Sequence, residues 1–416
     1  MSRGAILVLP TVTAGQQGPV AAWVSAAGWA SAFRRILGDV WIVTPEGLLA
    51  PDDLRSRASS ASTAAAPSWQ RRMPVVMKTA VKDAREWRRA RAFRVDGAGP
   101  WSGHDVACVW QRHELFHSAG PRLARELGVP SVVFVPAPLV WQAEQWGVRR
   151  PGWGSRLERA GERSPLQLAD VVACGSESVA AEIRRIGIDP GRIVITPTGS
   201  DPEVFAHPPD RDAVRRRLGV DGRFVVGWIG SFRRFHALEQ AIDAVAGLRD
   251  TTLLLVGDGP ERTRIEAAAR ARNIQLVCTG TVAHDEIPEY LAAMDVGLVL
   301  ASGERAFHYS PLKLAEYFAA GLPVVAPRAG ALVTQLHDGE DALLVKPGDA
   351  AELVAALRRL QDDPAERERL GRTARAVATE RWSWDRSAER ALAALHSQAG
   401  EAGDSEVGES GSPPAQ

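Results

Sequence analysis

Residues 308–327 read HYSPLKLAEYFAAGLPVVAP. Ser310 is of the N-cap type, Pro311 suits the first helical position and Gly321 the C-terminal cap. The stretch therefore predicts a short helix over about 311–320, followed by a buried strand at Pro323–Ala326. Leu314 and Phe318 share its core face, while Lys313, Glu316 and Ala320 fall on another, where Ala320 leaves room. A cation in the first turn, as at Lys313, opposes the helix dipole by roughly 0.3–1 kcal/mol. An anion such as phosphate, held by the free N–H groups of that end, reverses the penalty. Glu316, one turn on, suits two adjacent hydroxyls of a ribose. The competing reading is an exposed Lys313–Glu316 pair worth about 0.2–0.5 kcal/mol.

Working outward, short apolar runs alternate with helical periodicity from about Asp105 to Val345. The runs are DVACVW (105–110), SVVFVP (131–136), VVAC (171–174), RIVITP (192–197), RFVVGWI (223–229), TLLLVG (252–257), IQLVC (274–278), VGLVL (296–300), LPVVAP (322–327) and ALLV (342–345). They are continuous rather than alternating, as parallel strands covered on both faces require. In HALEQAIDAVAGL, Leu238, Ile242 and Val245 make a helical stripe. This order reads as α/β with open parallel sheets. Upstream, a strand at Ala5–Leu9 precedes a helical region from about Pro19 to Ile36 and a strand at 39–43. We place one unit at 1–206, with the Ser/Ala/Pro-rich residues 51–69 as a loop or disordered insertion, and a second at 207–381. A helix over 382–399 and a disordered tail at 400–416, free of basic residues, complete the chain.

The 416 residues include 50 basic and 50 acidic side chains, so the chain is formally neutral, which argues against a dedicated nucleic-acid binder. Cys108, Cys174 and Cys278 are isolated and lack the spacing of a disulfide framework or a zinc site. No run reaches the ~18 apolar residues of a spanning helix, so the expectation is a soluble, cytoplasmic protein. His113 and His117 stand at i, i+4, but no third metal ligand accompanies them. Most of the 13 tryptophans read as core or interface residues, with Trp141 and Trp146 near an expected cleft.

Two further loops belong with the opening stretch. In GSFRRFHAL (230–238), Gly230 ends a strand and permits close backbone approach. Ser231 offers a hydroxyl, and Arg233, Arg234 and His236 offer donors suited to a diphosphate. VGDGP (256–260) is a strand–turn–helix junction containing Gly257. In an open α/β sheet such loops converge on the carboxyl edge, where ligands bind.

In the order GSFR, VGDGP, TGTV, SPLKLAEYFAAGLPVVAP and DGEDALLVKPGD, residues 223–385 resemble the donor-binding half of retaining glycosyltransferases of family 4. ELFHSAGPRLARELGVP, APL (137–139) and GRIVITPTGSDPEVF resemble segments of the other half. The resemblance implies the GT-B architecture: two Rossmann-like domains with parallel sheets facing across a cleft, an acceptor domain first, a nucleotide-sugar donor domain second, and a last helix returning to the first. Glu316 matches the second Glu of the family's E-x7-E pattern, expected on the donor ribose, and His308 stands where the first Glu would be. Ser231 and His236 replace the usual Arg and Lys of the diphosphate clamp, so Arg233 and Lys313 are expected to supply its charge. The implied donor site comprises Gly230, Ser231, Arg233, His236, Gly257, Thr281, Val282, Ser310, Pro311, Leu312, Lys313 and Glu316, with His308, Arg233 and Lys313 at the catalytic positions. The base would be met by Thr279–Val282. Phe134, Pro136 and Thr198 replace polar residues common in relatives. The implied activity is transfer of a sugar from a nucleotide-diphosphate sugar to a hydroxyl with retention of configuration, in polysaccharide, glycolipid or glycoconjugate synthesis. The donor is a co-substrate, and no metal or other cofactor is expected. The acceptor, whether saccharide, lipid-linked or small molecule, is not legible. An inactive GT-B binding or scaffold subunit and a nucleotide-sugar epimerase are the alternatives that share this donor half.

Finally, Arg71, Arg72, Lys78, Lys82, Arg85, Arg88, Arg89, Arg91 and Arg94 face only Asp83 and Glu86 within 71–94. This basic, helical stretch with Trp87 and Phe93 suggests peripheral contact with an anionic membrane on its inner face. The other reading is a solvated arginine-rich helix.

Overall fold

The computed structural model describes residues 3–11, 20–54, 73–301, 303 and 312–407. The first sheet contains β1 (Arg3–Val8), β2 (Gly38–Thr44), β3 (Gly47–Leu49), β4 (Asp105–Arg112), β5 (Ser131–Val135), β6 (Val171–Cys174) and β7 (Ile193–Ile195). Their spatial order is β3-β2-β1-β4-β5-β6-β7, parallel except for the short edge strand β3, which the sequence pattern did not announce. The second sheet contains β8 (Phe224–Ile229), β9 (Thr251–Val256), β10 (Gln275–Cys278), β11 (Val296–Leu298), β12 (Val324–Pro327) and β13 (Leu343–Val345). It is wholly parallel, in the order β10-β9-β8-β11-β12-β13. The central strands β5, β8 and β9 are buried along their whole length, the physical reason for their unbroken apolar runs.

In the second sheet the winding reverses between β8 and β11. The segments leaving these two strands therefore flank the crevice at the carboxyl edge where doubly wound sheets take ligands. The six-residue parallel register from Phe224↔Thr251 to Ile229↔Val256 brings the ends of β8 and β9 level, with Gly230 beside Gly257.

The chain passes between the domains twice, and the two crossings are zipped together. Ser200 N donates to Trp382 O at 2.9 Å, and Trp384 N donates to Ser200 O at 3.1 Å. Trp382 stacks on Phe318 in the second domain (5.1 Å), whereas Trp384 enters the core of the first beside Trp29 (6.2 Å). Arg35 fastens the same junction, reaching Asp385 at 2.6 Å and Asp201 and Glu203 at 3.3 Å. The final helix spans Trp384–Val407 and lays Ala388, Ala391, Leu392 and Leu395 on the first domain. It continues past Gly400, where the sequence suggested a tail. The basic stretch forms the helix Val75–Ala92. Of the insertion expected at 51–69, residues 51–54 are helical and the rest lie outside the described residues, as do Arg71 and Arg72.

Candidate active site

At the carboxyl edge of the second sheet, two loops are knitted together through their backbones. Gly230 N donates to Val256 O and Phe232 N to Asp258 O, both at 2.9 Å, and Glu261 N returns to Phe232 O at 3.2 Å. Gly230 and Gly257 adopt φ of +133° and +134°. A Cβ on Gly257 would lie 1.9 Å from Gly230 O, so only glycine permits the approach. An isolated antiparallel bridge between Gly257 and Gly280 brings in the third loop, which carries Thr281 and Val282. Thr281 is exposed, and half-buried Val282 packs on the domain core.

The helix predicted over 311–320 is described as Leu312–Ala319, and it delivers the opening stretch to these loops. Lys313 Nζ sits 3.7 Å from the centroid of Trp228, the penultimate residue of β8, and a Cβ placed on Gly230 would lie 3.3 Å from it. His236 meets the same indole edge-on at 5.2 Å. The segment before it is a short 3-10 turn, Arg234–His236, and the following α-helix begins at Leu238 rather than near His236. Burial holds the Lys313 ammonium well below its usual pKa, only partly opposed by Glu316. Burial, with Lys313 and Arg233 beside it, pushes His236 down to about 2. A bound anion would raise both. Ser231 and Arg233 are exposed on the same loop. The geometry thus offers an anion one ammonium, one guanidinium and a hydroxyl around two close-packed backbones.

Glu316 is 5% exposed and accepts from His284 Nε2 at 2.7 Å. Burial disfavours the imidazolium, but the hydrogen bond and charge of Glu316, with Asp285 and Asp201, outweigh it and raise the pKa of His284. The surface Lys313–Glu316 pair therefore does not describe this face: Lys313 turns to Trp228 and Glu316 to His284. Between the domains lies a cavity of about 310 Å³. Its lining includes Leu312, Glu316, His284 and Asp285 from the second domain, Val24 and Gly28 from the helix Val20–Leu37, and Ser200, Asp201 and Trp384 from the crossings. Leu312 also packs on the first domain's core. Gly230, Ser231, Arg233, His236, Gly257, Thr281, Val282, Leu312, Lys313 and Glu316 thus all stand along one edge. His308, Ser310 and Pro311 lie outside the described residues.

On the first domain, His113 and His117 are buried rather than presented to a metal. His113 Nε2 lies 3.4 Å from Glu162, whose carboxylate also accepts from the backbone N–H of Leu139 and Val140. Burial, His113 and Arg89 push His117 down to about 4, so it is neutral at ordinary pH. Among the described residues no group of three His, Cys, Asp or Glu side chains is arranged to hold a metal. Phe134, 1% exposed, packs on Trp110 and Trp29, so this replacement serves the core and not the cleft. Trp146 spans the domains by stacking on Phe235 of the 230–238 loop at 5.5 Å and 11°. Sequence reasoning missed Trp228 as the platform for Lys313 and His284 as the partner of Glu316. The His284–Glu316 contact joins residues 32 apart, and no local pattern announces it.

Residues 223–363 match the family model described as glycosyl transferases group 1, and residues 24–204 match that described as glycosyltransferase family 4. The chain is 31% identical over 272 residues to a 2-deoxystreptamine glucosyltransferase of Streptomyces kanamyceticus, covering 59% of this chain and 65% of that protein. It is 30% identical over 310 residues to a D-inositol 3-phosphate glycosyltransferase of Pseudarthrobacter chlorophenolicus, covering 68% of this chain and 71% of that one. It spans about three fifths of the length of the first curated relatives it matches. The crystal structure of Anabaena HepE in complex with UDP-glucose superposes with a TM-score of 0.62 at 18% identity, over 94% of this chain and 99% of that one. The two parallel-sheet domains are therefore a GT-B architecture. With both domains matched in order and a relative covered over 71% of its length, the chain belongs to glycosyltransferase family 4.

Proposed function

We propose that the protein transfers a sugar from a nucleoside-diphosphate sugar to an acceptor hydroxyl with retention of anomeric configuration. The observation that carries this is the convergence of the Gly230 and Gly257 backbones, Lys313 and buried Glu316 on one sheet edge at the winding reversal. In this reading Glu316 takes the ribose hydroxyls in place of His284, and the loop with Thr281 and Val282 meets the base through its backbone. Lys313, Arg233 and the N-terminal N–H groups of the helix Leu312–Ala319 face the diphosphate. As the glycosidic C–O bond breaks, negative charge grows on the leaving phosphate, and fixed positive groups in a desolvated site stabilise that charge most. In this reading the leaving phosphate itself takes the proton of the incoming hydroxyl, so neither a separate general base nor a metal is assigned. The fold shared with a chain that binds UDP-glucose supports a nucleotide-sugar donor.

The test is calorimetric titration with UDP, GDP, CDP and dTDP, followed by product analysis with the sugar of the nucleotide that binds. Binding of one nucleoside diphosphate, weakened by Lys313→Ala, is expected, with a product whose anomeric configuration by NMR is that of the donor. Absence of binding by every nucleotide overturns the donor site, and an inverted product overturns retention alone.

A further inference from the structure

The helix Val75–Ala92 is built the wrong way round for a helix that merely covers a core. Its inward face is polar: Thr79 and Asp83 are buried, and Asp83 accepts from Arg150 Nε at 2.9 Å, Arg150 Nη2 at 3.2 Å and Trp153 Nε1 at 3.0 Å. Its outward face is apolar and basic. Val75, Val76, Met77 and Trp87, 66%, 39%, 54% and 44% exposed, make up half of the large hydrophobic side chains exposed among the described residues. At about 100° per residue, Val76, Met77, Ala80, Ala84 and Trp87 gather on one flank. Lys78, Lys82, Arg85, Arg88 and Arg89 gather on the next. Arg91, one turn beyond Trp87, lies over its ring at 4.6 Å and places one cation on the apolar flank itself. Of the two acids on the helix, Asp83 is buried in the anchor and Glu86 pairs with Arg89 at 3.1 Å, so the helix's own acids offset only Arg89 among its outer basic residues.

We infer that this helix is a membrane-surface element that lies in the headgroup layer of an anionic bilayer. The apolar flank enters the acyl boundary, and the basic flank meets lipid phosphates. Charge complementarity selects the partner: a basic face on a neutral chain concentrates its field there. The apolar flank then distinguishes a bilayer from a bare polyanion, which would satisfy the arginines and leave Met77 and Trp87 in water. The anchor also says where the surface lies. Arg150 and Trp153 follow closely on Trp146, which touches the donor loop at Phe235, so the bilayer runs alongside the acceptor-side wall of the cleft.

Co-sedimentation of the full chain with phosphatidylcholine vesicles, with and without phosphatidylglycerol, tests this. Binding only to the anionic vesicles, released by high salt, is expected. Arg85→Glu with Arg88→Glu should weaken partitioning more than tenfold, from roughly fivefold per basic residue near such a surface. Met77→Ser with Trp87→Ser should weaken it several-fold at low salt. In the unmodified chain, anionic vesicles should slow tryptic cleavage at Lys82, Arg85 and Arg88, a readout independent of how any variant folds. Recovery in the supernatant with both vesicles, unchanged cleavage, or undiminished binding of the serine variant overturns the inference.

Discussion

Replacing Gly257 by alanine tests whether the proposed donor site rests on contact between two backbones. The new Cβ would lie 1.9 Å from Gly230 O and 2.9 Å from Gly230 C, and both are main-chain atoms that cannot rotate away. The φ of +134° also lies where L side chains rarely go, a strain of roughly 1–3 kcal/mol. Relief requires the two loops to part, which breaks the 2.9 Å hydrogen bonds from Gly230 to Val256 and from Phe232 to Asp258. Each is worth about 0.5–1.5 kcal/mol. The total is roughly 2–6 kcal/mol against a domain stability of about 5–15 kcal/mol. The second domain should stay folded but unfold at lower urea, and Gly230 should move from its place beside Lys313. Urea unfolding with calorimetric titration of the preferred nucleotide measures both. An unchanged midpoint together with an unchanged nucleotide affinity would refute the reasoning.

Glu316→Gln should weaken nucleotide binding about ten- to a hundredfold, as for loss of a charge-assisted hydrogen bond of about 1.5–3 kcal/mol. A 2′,3′-dideoxy nucleotide should bind variant and wild type alike, and a loss equal for both ligands would remove Glu316 from the ribose. The raised pKa of His284 means that its pairing with Glu316 stabilises the fold fully below about pH 6.5 and fades as pH rises through the raised folded value. The melting-temperature difference between wild type and His284→Gln should therefore shrink from acid toward alkaline pH, and a flat difference contradicts it. Asp83→Ala strands buried Arg150, so about 3–5 kcal/mol should be lost. Hydrogen exchange should rise across 75–92, and unchanged protection there would show that the anchor lies elsewhere.

The parts of this protein that were legible in the sequence are those whose physics is local. Continuous apolar runs such as RFVVGWI and TLLLVG mark strands buried on both faces, because each residue must be apolar whichever way it points. The helix after Ser310 and Pro311 was legible because cap chemistry acts within a turn of the residues that carry it. Gly230 and Gly257 could be flagged as glycines at strand ends, and family resemblance put Glu316 and Lys313 among the donor residues. What these groups touch was decided by tertiary structure. The sheet order, which sets β8 between β9 and β11, brings Gly257 against Gly230 and Lys313 over Trp228. Docking of the third loop lets His284 close on Glu316, which raises the pKa of the imidazole. The spacing of His113 and His117 left their role open, and the structure buries both, with His113 against Glu162. In the basic helix, composition showed the charge, but only the packing of Asp83 on Arg150 and Trp153 decided which face looks outward. Contacts between residues far apart in the chain depend on how whole elements stack, and no periodicity within either segment encodes that.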